Sequence, residues 1–132
     1  MFDGTDENES KSKASILHVC TQDVLRPVRD QILRVAGHNV DSSETHEDAL
    51  DKARENKYDL VLIDIDSQHH VQAAEQLCTE LKKADPNQRV AFVCNWRVAI
   101  LNDCPNDIVR SEFDPVAFVT GVAAALSDEE TT

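Results

Sequence analysis

The sequence predicts a small α/β domain built on one doubly wound, five-stranded parallel sheet. Three observations carry that prediction. Short apolar runs alternate with segments of helical spacing through the middle of the chain. Two of those runs, Leu60-Val61-Leu62-Ile63 and Val90 to Cys94, are continuously apolar, as strands buried on both faces of a parallel sheet are. The length of 132 residues suits one domain and would cramp two.

The elements follow in order. Ile16 to Cys20 is rich in apolar and β-branched residues and reads as the first strand. Asp23 to Ala36 carries apolar residues at 25, 28, 32 and 35/36, the spacing of a helix, with Asp23 as its expected N-cap. Gly37 stands where a helix C′ residue belongs. His38 to Ser42 is a weak strand around Val40. Thr45 to Lys57 is a second helix, with Thr45 as N-cap and Asp48 closing a loose capping box. The Leu60 run ends at Asp64, and Val71, Ala74, Leu77/Cys78 and Leu81 mark a third helix. Asp85-Pro86-Asn87 is a turn before the Val90 strand. Ile108-Val109 is a short last strand, and Asp114-Pro115 opens a final helix that runs to Leu126. In such a fold the functional crevice lies beyond the carboxyl ends of the strands. That singles out Cys20-Thr21, Asp64-Ile65-Asp66, Cys94-Asn95-Trp96 and Ser111-Glu112.

Composition narrows the function. There are 25 acidic and 13 basic residues, a formal net charge of −12. A surface of that sign is unsuited to nucleic acid or anionic lipid. Residues 1–13 are expected to be a disordered acidic arm, 14–126 the domain, and 127–132 an acidic tail. No apolar run approaches the ~18 residues of a membrane span, and the first residues lack the apolar core of a secretory signal, so a cytoplasmic location is expected. The four cysteines, Cys20, Cys78, Cys94 and Cys104, form no CxxC motif and read as free thiols of a reducing compartment. With only Gly4, Gly37 and Gly121 there is no glycine-rich phosphate loop, and neither G-x-S-x-G nor H-E-x-x-H occurs, so no enzymatic activity is expected.

The stretch KYDLVLIDID resembles the phosphoacceptor strand of CheY-like response-regulator receiver domains. SILHVCTQD, LRVAGHNVDSSETHEDALDKARENKYDL and FDPVAF match that family's other elements in order and spacing, over about residues 14 to 126. The resemblance implies strand order 2-1-3-4-5, with Asp64 at the phosphoacceptor. It also implies that the working pocket is degenerate. The acidic pair that would help to hold Mg²⁺ falls on Cys20 and Thr21, the Ser/Thr on Cys94, its small neighbour on Asn95, and the Lys on Ser111 with Glu112 after it. The aromatic switch position falls on Ile108, and the Pro beyond the acceptor on Gln68 or His69. Asp64 is then expected to be a retained polar residue bonded to Thr21 or Ser111, with Asn95 narrowing its approach and Asp66 pointing away. The stretch from Cys94 to Ile108 is short, so the family's fourth helix is expected to shrink to about one turn at Arg97 to Leu101.

The resemblance therefore implies a stand-alone, atypical (pseudo-) receiver in bacterial two-component-type signalling. It would act by protein–protein contact, with a histidine kinase or another signalling protein as partner, as a monomer or weak homodimer, without Mg²⁺-dependent phosphorylation. Two alternatives stay open. One is a phospho-accepting regulator using Asp64. The other is a metal- or redox-responsive module using Cys20, Cys94 and His69-His70. A Cys20–Cys94 disulfide is not expected, because two strand spacings give about 9.5 Å against a limit of about 7 Å between Cα atoms. Trp96 reads equally as an exposed partner anchor or as a cover for the short fourth-helix region.

Overall fold

The computed structural model describes residues 14–110 and 114–127. The elements are β1 (Ser15–Val19), α1 (Leu25–Val35), β2 (Asn39–Ser43), α2 (His46–Glu55), β3 (Leu60–Asp64), a 3-10 turn (Gln68–His70), α3 (Val71–Ala84), β4 (Val90–Cys94), β5 (Asp107–Arg110) and α4 (Pro115–Leu126). The strands form one parallel sheet in the expected order β2-β1-β3-β4-β5. The acidic arm, Ser111, Glu112 and the tail beyond Ser127 lie outside the described residues.

Strand parity divides the core into two layers. Leu17, Val19, Val61, Ile63 and Phe92 pack with Ala49 of α2 and Ala74, Leu77 and Leu81 of α3. Ile16, Leu60, Leu62, Ala91 and Val93 pack on the other face with Leu33 of α1 and Phe118 and Val122 of α4. His18 and Asp64 belong to the second set by the same parity, which turns two polar side chains towards α1.

The helix ends follow the predicted chemistry at three places. Thr45 Oγ1 accepts from the Asp48 amide at 3.0 Å. The Asp114 carboxylate accepts from Val116 N at 3.0 Å and Ala117 N at 3.4 Å, ahead of Pro115 in the first turn. Gly37, at φ 105°, ends α1 with its amide on Arg34 O and the next amide, of His38, on Leu33 O, a Schellman arrangement that a side chain at this φ would strain.

Two expectations are corrected, and α1 is buried differently along its length. Asp23 does not cap α1: the helix follows Val24 without a side-chain cap, and Asp23 instead pairs with Arg26 at 2.9 Å. The apolar stripe of α1 is divided, with Ile32 packed against the core layer. Arg29, Asp30 and Leu33 are buried, while Val28 and Val35 of the stripe are exposed. Finally, the shortened fourth helix goes further than one turn, because residues 95–106 hold no helix, only a turn at Trp96-Arg97 and a bend at Pro105-Asn106. Side chains satisfy the backbone there instead. Gln68 donates to Ala99 O at 3.0 Å and accepts from Ala99 N at 2.8 Å. Arg110 donates to the carbonyls of Asn95 (2.6 Å) and Val98 (2.7 Å), and Asn95 and Asn102 accept from amides two residues on.

Candidate functional site

The carboxylate of Asp64 ends β3 beneath α1, with its side chain only 5% exposed. Arg29 of α1 approaches both carboxylate oxygens, with Nη1 at 2.6 Å from each. His18 Nε2 lies 3.0 Å from Oδ2. The other ring nitrogen of His18 faces Asp30 Oδ1 at 2.8 Å, and Ser42 of β2 donates to the second oxygen of Asp30. A single polar chain, Ser42–Asp30–His18–Asp64–Arg29, thus crosses three adjacent strands under one helix. Its register is set by the sheet, where His18 pairs with Ser42 on one side and Leu62 on the other. The Arg29 guanidinium also stacks over Phe118 of α4, 5.1 Å from the ring centre.

The charge state follows from donor counting. His18 is fully buried, and both its nitrogens face carboxylates. A carboxylate only accepts, so both nitrogens donate and the ring is an imidazolium. Burial alone lowers the His18 pKa, but the bonds to Asp30 and Asp64 outweigh it and leave the pKa raised. Burial likewise works to raise the Asp30 pKa, and the bonds from His18 and Ser42 reverse it to a lowered one. Two carboxylates and two cations then sum to zero charge, the condition under which buried ions are tolerated.

The residues expected around Asp64 are arranged differently. Neither Thr21 nor any other hydroxyl bonds it among the described residues, because His18 and Arg29 have taken its oxygens. Cys20 is buried beside it, and burial, then the Asp64 charge, push its thiol up to about 11. Asn95 does not narrow the approach to Asp64, since its side chain caps its own loop at Arg97 N. Cys94 is buried and lies 3.4 Å from Arg110 Nη1. Asp66, expected to point away, pairs with Gln22 and with His70 Nδ1 at 2.5 Å, and it borders the same strand-end hollow as Asp64. His69 and His70 are not brought to Cys20 and Cys94 as ligands; among the described residues the possible ligand group is His18, Cys20 and Asp64. Trp96 is 72% exposed, with the Arg110 guanidinium 5.4 Å from its ring centre.

These donors do not fit Mg²⁺. A hard dication needs several free oxygens. Here the one strand-end carboxylate beneath α1 is held by a guanidinium and an imidazolium, and its neighbour is a protonated thiol. A softer ion meets the same two resident cations at His18, Cys20 and Asp64. Above the strand ends lies a hollow of about 370 Å³ bordered by Thr21, His46, Asp64, Asp66 and His70.

Sequence reasoning missed His18, Arg29 and Asp30. The signal was present in His18, a titratable residue between Leu17 and Val19 in a strand expected to be covered on both faces. Such a residue requires buried partners, and Arg29-Asp30 stand one turn before Leu33 on the inward side of α1.

No family model and no curated protein matches the chain. Solved structures match its fold. The response regulator TrrA of Thermotoga maritima, in complex with Mg²⁺ and BeF, superposes with a TM-score of 0.70 at 20% identity, over 86% of this chain and 98% of that one. The N-terminal domain of a response regulator/sensory box/GGDEF protein from Carboxydothermus hydrogenoformans matches with a TM-score of 0.70 at 22% identity, over 90% and 97% of the two chains. A structure of the histidine kinase ThkA in complex with TrrA matches with a TM-score of 0.70 at 21% identity, over 88% and 99%. The chain therefore has the receiver fold.

Proposed function

We propose that this receiver fold serves as a phosphorylation-independent signalling module in a two-component-type pathway, acting through contact with a protein partner. The observation that carries this reading is the hold of Arg29 and His18 on Asp64. To accept a phosphoryl group, a carboxylate oxygen must be free to attack, and a cation must neutralise the incoming charge. Here both oxygens are engaged by cations of the chain itself, and the surrounding donors do not suit a divalent ion.

A partner surface is present on the α1–α4 side. Val35 and Val116 are 76% and 73% exposed, and together with Ile32, Pro115 and Val119 they line an apolar groove of about 460 Å³. The complex of a histidine kinase with a response regulator among the matched structures supports a histidine kinase as the kind of partner. In cells this reading places the chain in the cytoplasm. No helix among the described residues is long and apolar enough to cross a membrane.

The test is a titration with Mg²⁺ and then beryllofluoride, followed by amide NMR, beside incubation with acetyl phosphate and separation of the phosphorylated form. The expected result is an unmoved spectrum and no modified species. A saturable change that disappears in Asp64→Ala would overturn the proposal and restore the phospho-accepting alternative. A Zn²⁺-dependent change lost in Cys20→Ser would favour the metal-responsive one.

A further inference from the structure

The cysteines that come together are not those at the strand ends. Cys78 is buried on the inner side of α3, between Leu77 and Leu81 in the core layer. Cys104 lies in the β4–β5 connection, packs against the same layer and remains half exposed. Their sulfurs are 2.6 Å apart. The connection is held in place around Cys104: its amide donates to Asn102 Oδ1 at 2.7 Å, and Thr79 Oγ1 lies 3.9 Å from its sulfur. Gln68 and Arg110 fix the rest of the segment through Ala99, Asn95 and Val98. A disulfide forms most readily where the fold already presents two sulfurs to each other. Here the two thiols face each other at close range across 26 positions of sequence.

We propose that Cys78 and Cys104 are a thiol pair that closes to a disulfide under oxidising conditions and pins the β4–β5 connection to α3. The oxidant is a low-molecular-weight disulfide such as oxidised glutathione. Cys104, the accessible partner, attacks one sulfur of it as thiolate. The S–S bond of the oxidant breaks, a mixed disulfide forms at Cys104, and one glutathione leaves as a thiol. The sulfur of Cys78 then attacks the Cys104 sulfur, giving up its proton to the second departing glutathione. Two protein thiols lose two electrons and two protons, and one oxidised glutathione becomes two reduced ones. Burial, then the neighbouring Cys104, push the Cys78 thiol up, which agrees with Cys104 reacting first and Cys78 second. The segment that is pinned carries Trp96 and stands where the receiver resemblance expects a helix, so the bond would make a partner face on that side rigid.

The experiment exposes the reduced, full-length chain to oxidised glutathione, alkylates remaining thiols under denaturing conditions, and maps tryptic peptides without reduction. The four cysteines fall on four different tryptic peptides, so every pairing is distinguishable. The expected result is residues 58–82 joined to 98–110, alkylated Cys20 and Cys94, and an intact mass lower by two hydrogens. Reduction before alkylation should return all four thiols, and Cys104→Ser should abolish the joined species while remaining folded. Four alkylated cysteines, a glutathione adduct that stays on Cys104, or a pairing that involves Cys20 or Cys94 would each overturn the proposal.

Discussion

Asp64 and Arg29 behave at the residue scale as one unit, and removing either partner exposes the cost of the other. Asp64→Asn leaves an imidazolium and a guanidinium buried without their shared counter-charge. Breaking a buried pair in this way costs about 3 kcal/mol or more, and a urea denaturation midpoint would read it as a clear loss of stability. An aspartate held in a purely acidic pocket would respond in the opposite direction, because neutralising it relieves repulsion. The sign of the change therefore reports whether the Arg29–His18 hold exists in solution.

His18 adds a pH dependence at the same scale. Its folded pKa is raised above the unfolded value of about 6.5. The stabilisation is complete below that value and is lost as pH climbs through the raised folded pKa. Asp30, whose pKa is lowered, acts in the opposite window: its contribution is present above about 4 and is lost as pH falls through the folded value. Thermal midpoints across pH 6 to 10 should therefore decline on the alkaline side, and His18→Gln should flatten that decline while lowering the whole curve.

Among the elements, α4 and the β4–β5 connection give separable expectations. Gly121 faces β5 so closely that an added Cβ would sit 2.5 Å from Val109 Cγ1. Helix propensity favours Gly→Ala by about 1 kcal/mol, but overpacking against a buried β-branched side chain costs roughly 1–3 kcal/mol. Gly121→Ala should therefore destabilise or at best be neutral, against the propensity rule, in a calorimetric scan. The connection depends on Gln68 for both backbone bonds of Ala99. Gln68→Ala should accelerate tryptic cleavage after Arg97 and leave the global unfolding midpoint within about 1 kcal/mol, since these bonds are exposed and local.

Over the whole molecule, the sheet and its caps were legible because they rest on local rules. Continuous apolar runs gave β3 and β4, while Thr45, Gly37 and Asp114 marked helix ends with side chains suited to those positions. The site was not legible in the same way. Its members come from β1, α1, β2 and β3, and nothing local tells His18 that Asp30 and Asp64 will flank it. The apolar stripe of α1 does not mark its buried face either. Part of its apolar surface faces outwards beside α4, and the inward side spends two positions on Arg29 and Asp30. That outward surface carries the prediction for the whole molecule. Val35→Glu with Val116→Glu should leave the fold and midpoint nearly unchanged and reduce partner capture at least tenfold in a pull-down with a purified kinase helical domain.

The guanidinium on Asp64 has one further implication. An ion drawn from solution occupies its site according to how much of it is dissolved, whereas a cation tethered to α1 is present at the same high effective concentration in every copy. A module built this way has no occupancy to titrate. On the reading proposed above, its influence on a pathway would scale with the number of molecules made and destroyed, so synthesis and turnover, rather than the cell's stock of phosphoryl donors, would set its dose.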